Sequence, residues 1–240
     1  MIFGLANPQR FMSVTRPLVP VLGALAALLL LWGAWLSFAA PEDYQQGDTV
    51  RIMFIHVPAA WMSLFVYMCL AGSAFFGLVF RHSLADAAAR AAAPLGAAFT
   101  GLALVTGSIW GRPMWGAWWV NDARLMSVLI LFLFYLGYMA LQAAIDDEQK
   151  AARASNVLVL VGAINVPIVH FSVNWWNSLH QDASVFRLGG PSISWALLMP
   201  LLVMALGYTV LFLCLWIVRI RTEVWRRRAN SLALRAAGGA

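Results

Sequence analysis

Long apolar runs separated by short polar segments dominate the pattern of this chain. Six of these runs approach or exceed the roughly 20 residues that a helix needs to cross a hydrocarbon core of about 30 Å. They lie at about 18–39, 58–80, 91–109, 125–145, 156–171 and 193–218. The pattern predicts an all-α, polytopic membrane protein in which residues 1–240 form a single domain of six transmembrane helices.

The positions of lysine and arginine predict the orientation, because positive residues in short loops stay on the cytoplasmic side of a membrane. With the amino terminus inside, the basic residues on the outer side are only Arg51, Arg112, Arg124 and Arg187. Both termini are therefore expected in the cytoplasm, with three loops facing outward. The net charge of +6 is explained by this topology and by attraction to anionic lipid, and it requires no nucleic acid.

Composition agrees with a membrane protein, since 62% of the residues are hydrophobic and 11% are charged, against about 25% charged in soluble domains. The first apolar run exceeds the usual length of a signal-peptide core and is expected to remain as an anchor. Cys69 and Cys214 both lie inside apolar runs, and no disulfide framework, zinc motif or C-x-x-C-H motif for covalent haem attachment is present. No constellation for nucleophilic or general acid–base catalysis stands out, so we do not expect an enzyme.

The second outer loop, residues 110–124, reads WGRPMWGAWWVNDAR and is rich in tryptophan. Trp115, Trp118 and Trp119 have the spacing i, i+3 and i+4, and Asp122 follows at i+7. If this segment is helical, the four side chains share one face. The pattern then predicts an amphipathic segment lying along the outer membrane surface, with indoles at headgroup depth or against a flat ligand.

The other two outer loops each contain a histidine. In NWWNSLHQDASVFRLGGPS, Trp176 and His180 have the spacing i and i+4, and a helix would project them together. In PEDYQQGDTVRIMFIHVPAAW, His56 stands two residues before Pro58, which is a favourable residue near a helix start. Interface tryptophans are common, but most of the twelve here lie towards the outer side, and a symmetric belt would not produce that asymmetry.

Indoles, imidazoles and arginines together match the chemistry of haem. Indoles stack on a flat apolar ring, neutral imidazoles serve as axial iron ligands, and arginine forks bind carboxylates. His56 and His180 would be the axial ligands, and Arg51 and Arg124 the partners of the propionates. Zinc fits less well, because two histidines without cysteine leave a tetrahedral site half filled.

Several long motifs occur in order over residues of about 40–216: PEDYQQGD, HVPAAW, ALVTGSIWGRPMWGAWWV followed by DARL, and WWNSLHQ. In these the chain resembles the CcmC family, the membrane component of bacterial cytochrome c maturation that presents haem at the periplasmic face. That family belongs to a wider group of haem-handling proteins with a tryptophan-rich WWD loop. Its six spans and inside termini agree with the topology predicted from the residues.

The resemblance implies a role for each motif. His56 and His180 would be the axial ligands of a non-covalent haem b, and the first outer loop, with Asp43, Gln46 and Arg51, would receive a periplasmic haem chaperone. The haem platform and propionate contacts would be Trp110, Trp115, Trp118, Trp119, Asp122, Arg51 and Arg124. The resemblance also implies the bacterial inner membrane, and as partners the ATPase and permease subunits of an ABC transporter and a small single-span subunit. This chain has no nucleotide-binding loop of its own.

One motif departs from the family pattern. Trp-x-Trp-Asp is expected, but the chain has Trp119, Val120, Asn121 and Asp122, with Asn121 in place of an indole. Met126 stands where threonine is expected. Losing one stacking ring costs on the order of 1 kcal/mol of contact with a flat ligand.

Two other functions remain open from the sequence. A b-type electron-transfer or quinone-linked protein would also use two histidines, normally at membrane depth, and a structural transporter subunit would bind no ligand. His170 is a rival ligand, but it lies in an apolar run close to Pro167, where bonding to freed backbone carbonyls is a sufficient role.

Overall fold

The computed structural model describes residues 7–180 and 184–238, and the regular elements within them are helices. These are α1 Pro8–Ala39, α2 Met53–Phe80, α3 Ser83–Trp115, α4 Ala123–Ala144, α5 Glu148–Gly162, α6 Asn165–Trp175 and α7 Trp195–Gly238, with a short 3-10 helix, Asp48–Ile52, before α2. In the described chain six segments are long and apolar enough to cross a membrane, and α5 and α6 together form the fifth. The predicted all-α class with six spans is confirmed, and the protein is a multi-pass membrane protein.

Polar residues outside the apolar runs set several helix ends. Asp122 caps the start of α4, and Asp147 caps α5 by accepting the amides of Gln149 and Lys150. The carboxyl end of α3 is set by Gly116, which adopts a positive φ of 75° that glycine allows without strain. The helices are therefore longer than most of the apolar runs that predict them.

The fifth span is broken between Gly162 and Asn165, where α5 ends and α6 begins. Pro167 explains the break, since proline has no amide proton to donate and its ring clashes with the carbonyl four residues earlier. The Asn165 side chain lies just after the break and donates a 2.8 Å hydrogen bond to the Ser127 carbonyl of α4. This bond fixes α6 against α4 at the point where backbone bonding is interrupted.

Buried aromatic residues hold the centre of the bundle together. Tyr67 of α2 and Tyr135 of α4 contact each other edge-to-face with ring centroids 5.1 Å apart. Their hydroxyls donate to the Val159 and Ser63 carbonyls at 3.1 and 2.8 Å, so neither polar group is buried without a partner. These contacts join α2, α4 and α5.

Contacts between loops define two ends of the bundle. The tryptophan-rich end comprises residues 40–52, 116–122, 176–180 and 184–194, where the indole of Trp110 bonds to Gln46 and Trp61 packs against Phe186. The basic end comprises residues 81–82, 145–147, the start of α1 and the last part of α7. There Arg226 pairs with Glu148 at 2.8 Å and Arg227 donates to the Ser83 carbonyl at 2.8 Å.

Close helix contact gives a first testable prediction at Gly96 of α3. A Cβ at this position would overlap the ring of Tyr135, which is fully buried. We expect Gly96→Ala to destabilise the protein by about 1–3 kcal/mol, because the packed core cannot yield without moving this ring. Thermal unfolding in detergent measures the effect, with Gly72→Ala as control because a Cβ at Gly72 meets nothing within 4 Å. Equal unfolding temperatures for the two variants would contradict the prediction.

Candidate functional site

His56 lies near the start of α2, where the short 3-10 helix turns the chain into the bundle. Its Nδ1 is 3.0 Å from the Ala103 carbonyl oxygen and 3.1 Å from the Thr106 hydroxyl, both on α3. A carbonyl oxygen can only accept, so Nδ1 carries the proton and Nε2 of the neutral ring carries the lone pair. Metal-binding histidines are typically oriented in this way, with the second ring nitrogen bonded to a carbonyl or carboxylate.

Gly107 makes room for the His56 ring on the surface of α3. A Cβ at Gly107 would lie 2.8 Å from Cε1 of the imidazole and 3.8 Å from its Nε2. The imidazole therefore packs directly against the backbone of Gly107, and it can take this position only because glycine has no side chain.

His180 lies in the non-helical segment after α6, with most of its side chain buried. Its Nδ1 is 3.3 Å from the Asp122 carboxylate, at the distance of a charge interaction but without the angle of a hydrogen bond. Burial lowers the pKa of His180 below its ordinary value, and the Asp122 carboxylate only partly offsets this. Burial thus favours the neutral imidazole, the form in which a ring nitrogen can bind a metal.

Asp122 connects the second and third outer loops. Its Oδ1 accepts the Arg124 and Leu125 amides at the start of α4, at 2.8 and 3.4 Å, and its Oδ2 accepts the Leu179 amide at 3.0 Å. Burial by itself raises the pKa of this carboxyl, but hydrogen bonds from the Ser178 hydroxyl and from backbone amides outweigh burial and bring it below the ordinary value. Asp122 is thus an anion that holds the loop of His180 against α4.

His56 and His180 lie near enough to each other for their charges to interact. Each imidazole also has an indole against it in an edge-to-face contact. Trp110 lies 5.6 Å from His56 and Trp115 lies 4.9 Å from His180, measured between ring centroids. The structure therefore brings together both predicted ligands and two of the predicted platform residues.

The expectation of a helical face through the second loop is wrong. Because α3 ends at Trp115 and Gly116 reverses the backbone, residues 116–122 are not helical, and Trp118 and Trp119 do not continue the face of Trp115. Their side chains are 58% and 39% exposed. In the described structure neither indole is in ring contact with His56 or His180.

The helical spacing expected for Trp176 and His180 is also wrong, since α6 ends at Trp175. Trp176 has extended backbone and packs against Trp175 with ring centroids 5.8 Å apart. His180 reaches the site through the Asp122 tether instead.

The two predicted propionate arginines differ in their surroundings. Arg51, in the 3-10 helix, pairs with Asp48, and its Nε is buried without a hydrogen bond to any described residue. Arg124 is already engaged with α6, since its Nε donates to the Ser172 hydroxyl at 3.3 Å and its terminal amine donates to the His170 carbonyl at 3.4 Å. Arg51 thus offers an unused donor, whereas Arg124 also secures α6.

The rival ligand His170 and the first-loop residues have other contacts. The exposed His170 ring packs edge-to-face on Phe171, with centroids 4.7 Å apart. Asp43 accepts the amides of Gln45 and Gln46 at 2.9 and 3.0 Å, so its carboxylate stabilises the turn of the loop. The Gln46 side chain accepts the Trp110 indole N–H at 3.0 Å, which links the first outer loop to the ring beside His56.

The donor set suits an iron macrocycle better than a bare metal ion. In the described chain no group of three or more His, Cys, Asp or Glu side chains is placed to hold a metal ion. The two cysteines are free thiols. Haem supplies four nitrogen ligands itself and needs only axial ligands from the protein, and two neutral imidazoles meet that need.

Four residues of the site were not predicted from the sequence. They contribute a hydroxyl group, the space of an absent side chain, or a backbone group. Thr106 is a polar residue and Gly107 a glycine, both within an apolar helix, and each signals a close contact. The Ala103 carbonyl and the Leu179 amide have no side-chain signature at all. They become visible only from the packing of α3 beside α2 and of the third loop beside α4.

Comparison with known proteins identifies relatives along the full chain. The family model described as Heme exporter protein C (CcmC) matches residues 1–235. The heme exporter protein C of Bradyrhizobium diazoefficiens is 58% identical over 233 residues, which are 97% of this chain and 89% of the relative. Those of Paracoccus denitrificans and Escherichia coli K12 are 44% and 46% identical, over 98% and 92% of this chain and 98% and 89% of each relative.

Proposed function

Because the chain belongs to the CcmC family of heme exporter protein C, we propose that it binds haem at its tryptophan-rich end and delivers it to a periplasmic haem chaperone for c-type cytochrome maturation. The protein is a binding and delivery component, not an enzyme. Haem is its cargo, a non-covalent haem b, which fits the absence of a C-x-x-C-H motif from the sequence.

One observation carries this proposal. His56 of α2 and His180 of the third outer loop are distant in sequence but near enough for their charges to interact. The Nδ1 of His56 lies 3.0 Å from a carbonyl oxygen, and that of His180 lies 3.3 Å from the Asp122 carboxylate. The carbonyl fixes the tautomer of His56, whose Nε2 would bind iron, and the Asp122 carboxylate would favour the same tautomer in His180. Bound haem would supply the iron and a flat hydrophobic ring, and the protein would supply ligands and contact surface.

The remaining contacts would hold the edges and faces of the ring. The proposed platform is formed by Trp110, Trp115, Trp118 and Trp119, of which the last two are exposed enough to close on a ligand or on a partner protein. Arg51 would bind a propionate through its unused Nε, and Arg124 would bind one while also holding α6. Asn121, the residue that departs from the family motif, accepts the Trp119 indole N–H at 3.3 Å and so restrains that indole.

We place the protein in the bacterial inner membrane, with both termini in the cytoplasm and the tryptophan-rich end in the periplasm. The distribution of basic residues supports this orientation. The first outer loop, with Asp43, Gln46 and Arg51, would receive the haem chaperone. Tyr44, which is 91% exposed, adds an aromatic side chain to that surface.

The chain would act with the ATPase and permease subunits of an ABC transporter and with a small single-span subunit. Since the sequence has no nucleotide-binding loop, ATP hydrolysis would belong to the ATPase subunit. The basic end, where the ATPase would approach from the cytoplasm, carries the arginines of α7.

The test is the visible absorption spectrum of purified protein in detergent after addition of haem. We expect a strong Soret band of low-spin, bis-histidine haem for the wild type, and a weakened or shifted band for His56→Ala and His180→Ala. His170→Ala is the matched control and should leave the spectrum unchanged, because this ring packs on Phe171 outside the site.

Three outcomes would overturn the proposal. A protein that stays colourless with added haem would be a structural subunit, and a spectrum that depends only on His170 would move the ligand to α6. Rapid reduction by quinol, without transfer to a soluble acceptor, would favour the b-type electron-transfer alternative.

A further inference from the structure

A cleft of about 340 Å³ lies between α1 and α7 at the basic end of the bundle, the end opposite His56 and His180. Its walls are Arg16, Val19 and Pro20 from α1, and Val218, Arg221, Thr222 and Trp225 from α7. The α1 residues have the spacing i, i+3 and i+4, and the α7 residues have i, i+3, i+4 and i+7. The cleft is therefore formed by one continuous face of each helix.

The cleft lies where the apolar part of each helix gives way to basic residues. On α1, Arg16 comes just before the apolar run 18–39, and on α7 the run that ends at Val218 is followed by Arg219 and Arg221. Trp225 is 54% exposed and has the Arg228 guanidinium 5.4 Å from its ring centroid, an arrangement typical of the headgroup region. In a membrane, this position would put the apolar walls beside the hydrocarbon and the arginines at the headgroup layer.

Among the described residues, no acidic side chain neutralises the two arginines of the cleft. In the described part of the chain neither Arg16 nor Arg221 forms an ion pair, and the cleft has no acidic residue in its walls. Glu223 is close in sequence, but it is buried on another face of α7, where it binds Arg90, Arg226 and Arg227.

Two hydrogen bonds to α1 hold the Arg221 guanidinium in place. One terminal nitrogen donates to the Met12 carbonyl at 2.6 Å and to the Thr15 hydroxyl at 2.8 Å. Two contacts on one nitrogen fix the orientation of the planar group and leave its other donors to a ligand. Arginine presents its donors as a fork that matches the oxygens of a phosphate.

We propose that this cleft binds the phosphate of an anionic phospholipid from the adjacent membrane leaflet. Arg16 and Arg221 bind the headgroup, and Val19, Pro20 and Val218 contact the glycerol region and the first methylenes of the acyl chains. A soluble phosphate would gain nothing from these apolar walls, which is why we assign the cleft to a lipid. The site is independent of the proposed haem function, because it lies at the opposite end of the bundle.

The test is lipid binding by the full, delipidated chain in detergent, measured by native mass spectrometry. The probes are phosphatidylglycerol, phosphatidylcholine with the same acyl chains, and inorganic phosphate. We expect phosphatidylglycerol to bind in preference to the other two. Arg16→Gln and Arg221→Gln should each weaken its binding about fivefold, in line with the usual contribution of one basic residue near an anionic headgroup.

Arg153→Gln and Arg235→Gln are the matched controls, since both remove an exposed arginine outside the cleft. Equal binding of phosphatidylcholine, or an equal loss in the controls, would overturn the proposal in favour of non-specific attraction. Arginine-dependent binding of inorganic phosphate would overturn it in favour of a soluble anion. Arg221→Gln also removes contacts to α1, so Arg16→Gln, at an exposed position, decides the result: wild-type binding in that variant would refute the site.

Discussion

Asp122→Ala is expected to weaken haem binding about 10–100-fold and also to destabilise the fold. The carboxylate faces the His180 Nδ1, and such supporting contacts to a metal-binding histidine usually have an effect of this size. The substitution also removes the cap of α4, worth about 1 kcal/mol, and leaves the Leu179 amide without its acceptor, at a cost of about 1–3 kcal/mol if that group stays buried. Haem titration and thermal unfolding in detergent measure the two effects separately.

Asp122→Asn and Asp147→Ala separate the causes. Asparagine can still cap α4 through its carbonyl oxygen, so we expect Asp122→Asn to recover much of the stability but not the haem affinity, because the charge facing His180 is gone. Asp147→Ala removes a comparable cap from α5 at the basic end and should leave haem affinity unchanged. Wild-type affinity in Asp122→Ala would show that Asp122 does not position His180.

Gly107→Ala is expected to displace His56 and to convert bis-histidine haem into a species with one weakened or missing ligand. The added Cβ would lie 2.8 Å from the imidazole Cε1, closer than real contacts allow, and the ring is also bonded to Ala103 and Thr106 on the same helix. We expect haem affinity to fall about 10–100-fold. Absorption and electron paramagnetic resonance spectra report the loss of the low-spin signal.

Gly101→Ala provides the control for Gly107→Ala on the same helix. A Cβ at Gly101 meets only Phe132, at an ordinary 3.6 Å, so we expect normal spectra and a small gain in stability from the higher helix propensity of alanine. If Gly107→Ala kept the low-spin spectrum of the wild type, the space at this glycine would have no part in holding His56.

The helical class and the six spans could be predicted because apolar run length is a direct consequence of bilayer thickness. The helix ends could not be predicted from the same signal. α3 continues from Ser83 to Trp115, well beyond the apolar run 91–109, and at its start the alanine-rich residues before the run favour helix. The break before α6 had a sequence signal in Pro167, but the apolar run continues across it.

The candidate site was predictable in its residue types and unpredictable in its geometry. His56 and His180 stood out because both lie near tryptophans on the predicted outer side, and in the structure they are near enough for their charges to interact. The helical face through Trp118 and Trp119 was wrong because one glycine, Gly116, ends α3 before the pattern is complete. A helical spacing of side chains in the sequence predicts a shared helix face only where no residue within that segment ends the helix.

The course of α7 has a structural consequence. This helix runs from Trp195, the residue that follows the third outer loop, to Gly238 without interruption at Pro200, a length of about 66 Å at 1.5 Å per residue. That length is about twice the hydrocarbon core of roughly 30 Å. One continuous helix therefore joins the residue after the third outer loop to the arginines of the basic end, and near that end Glu223 pairs with Arg90 of α3.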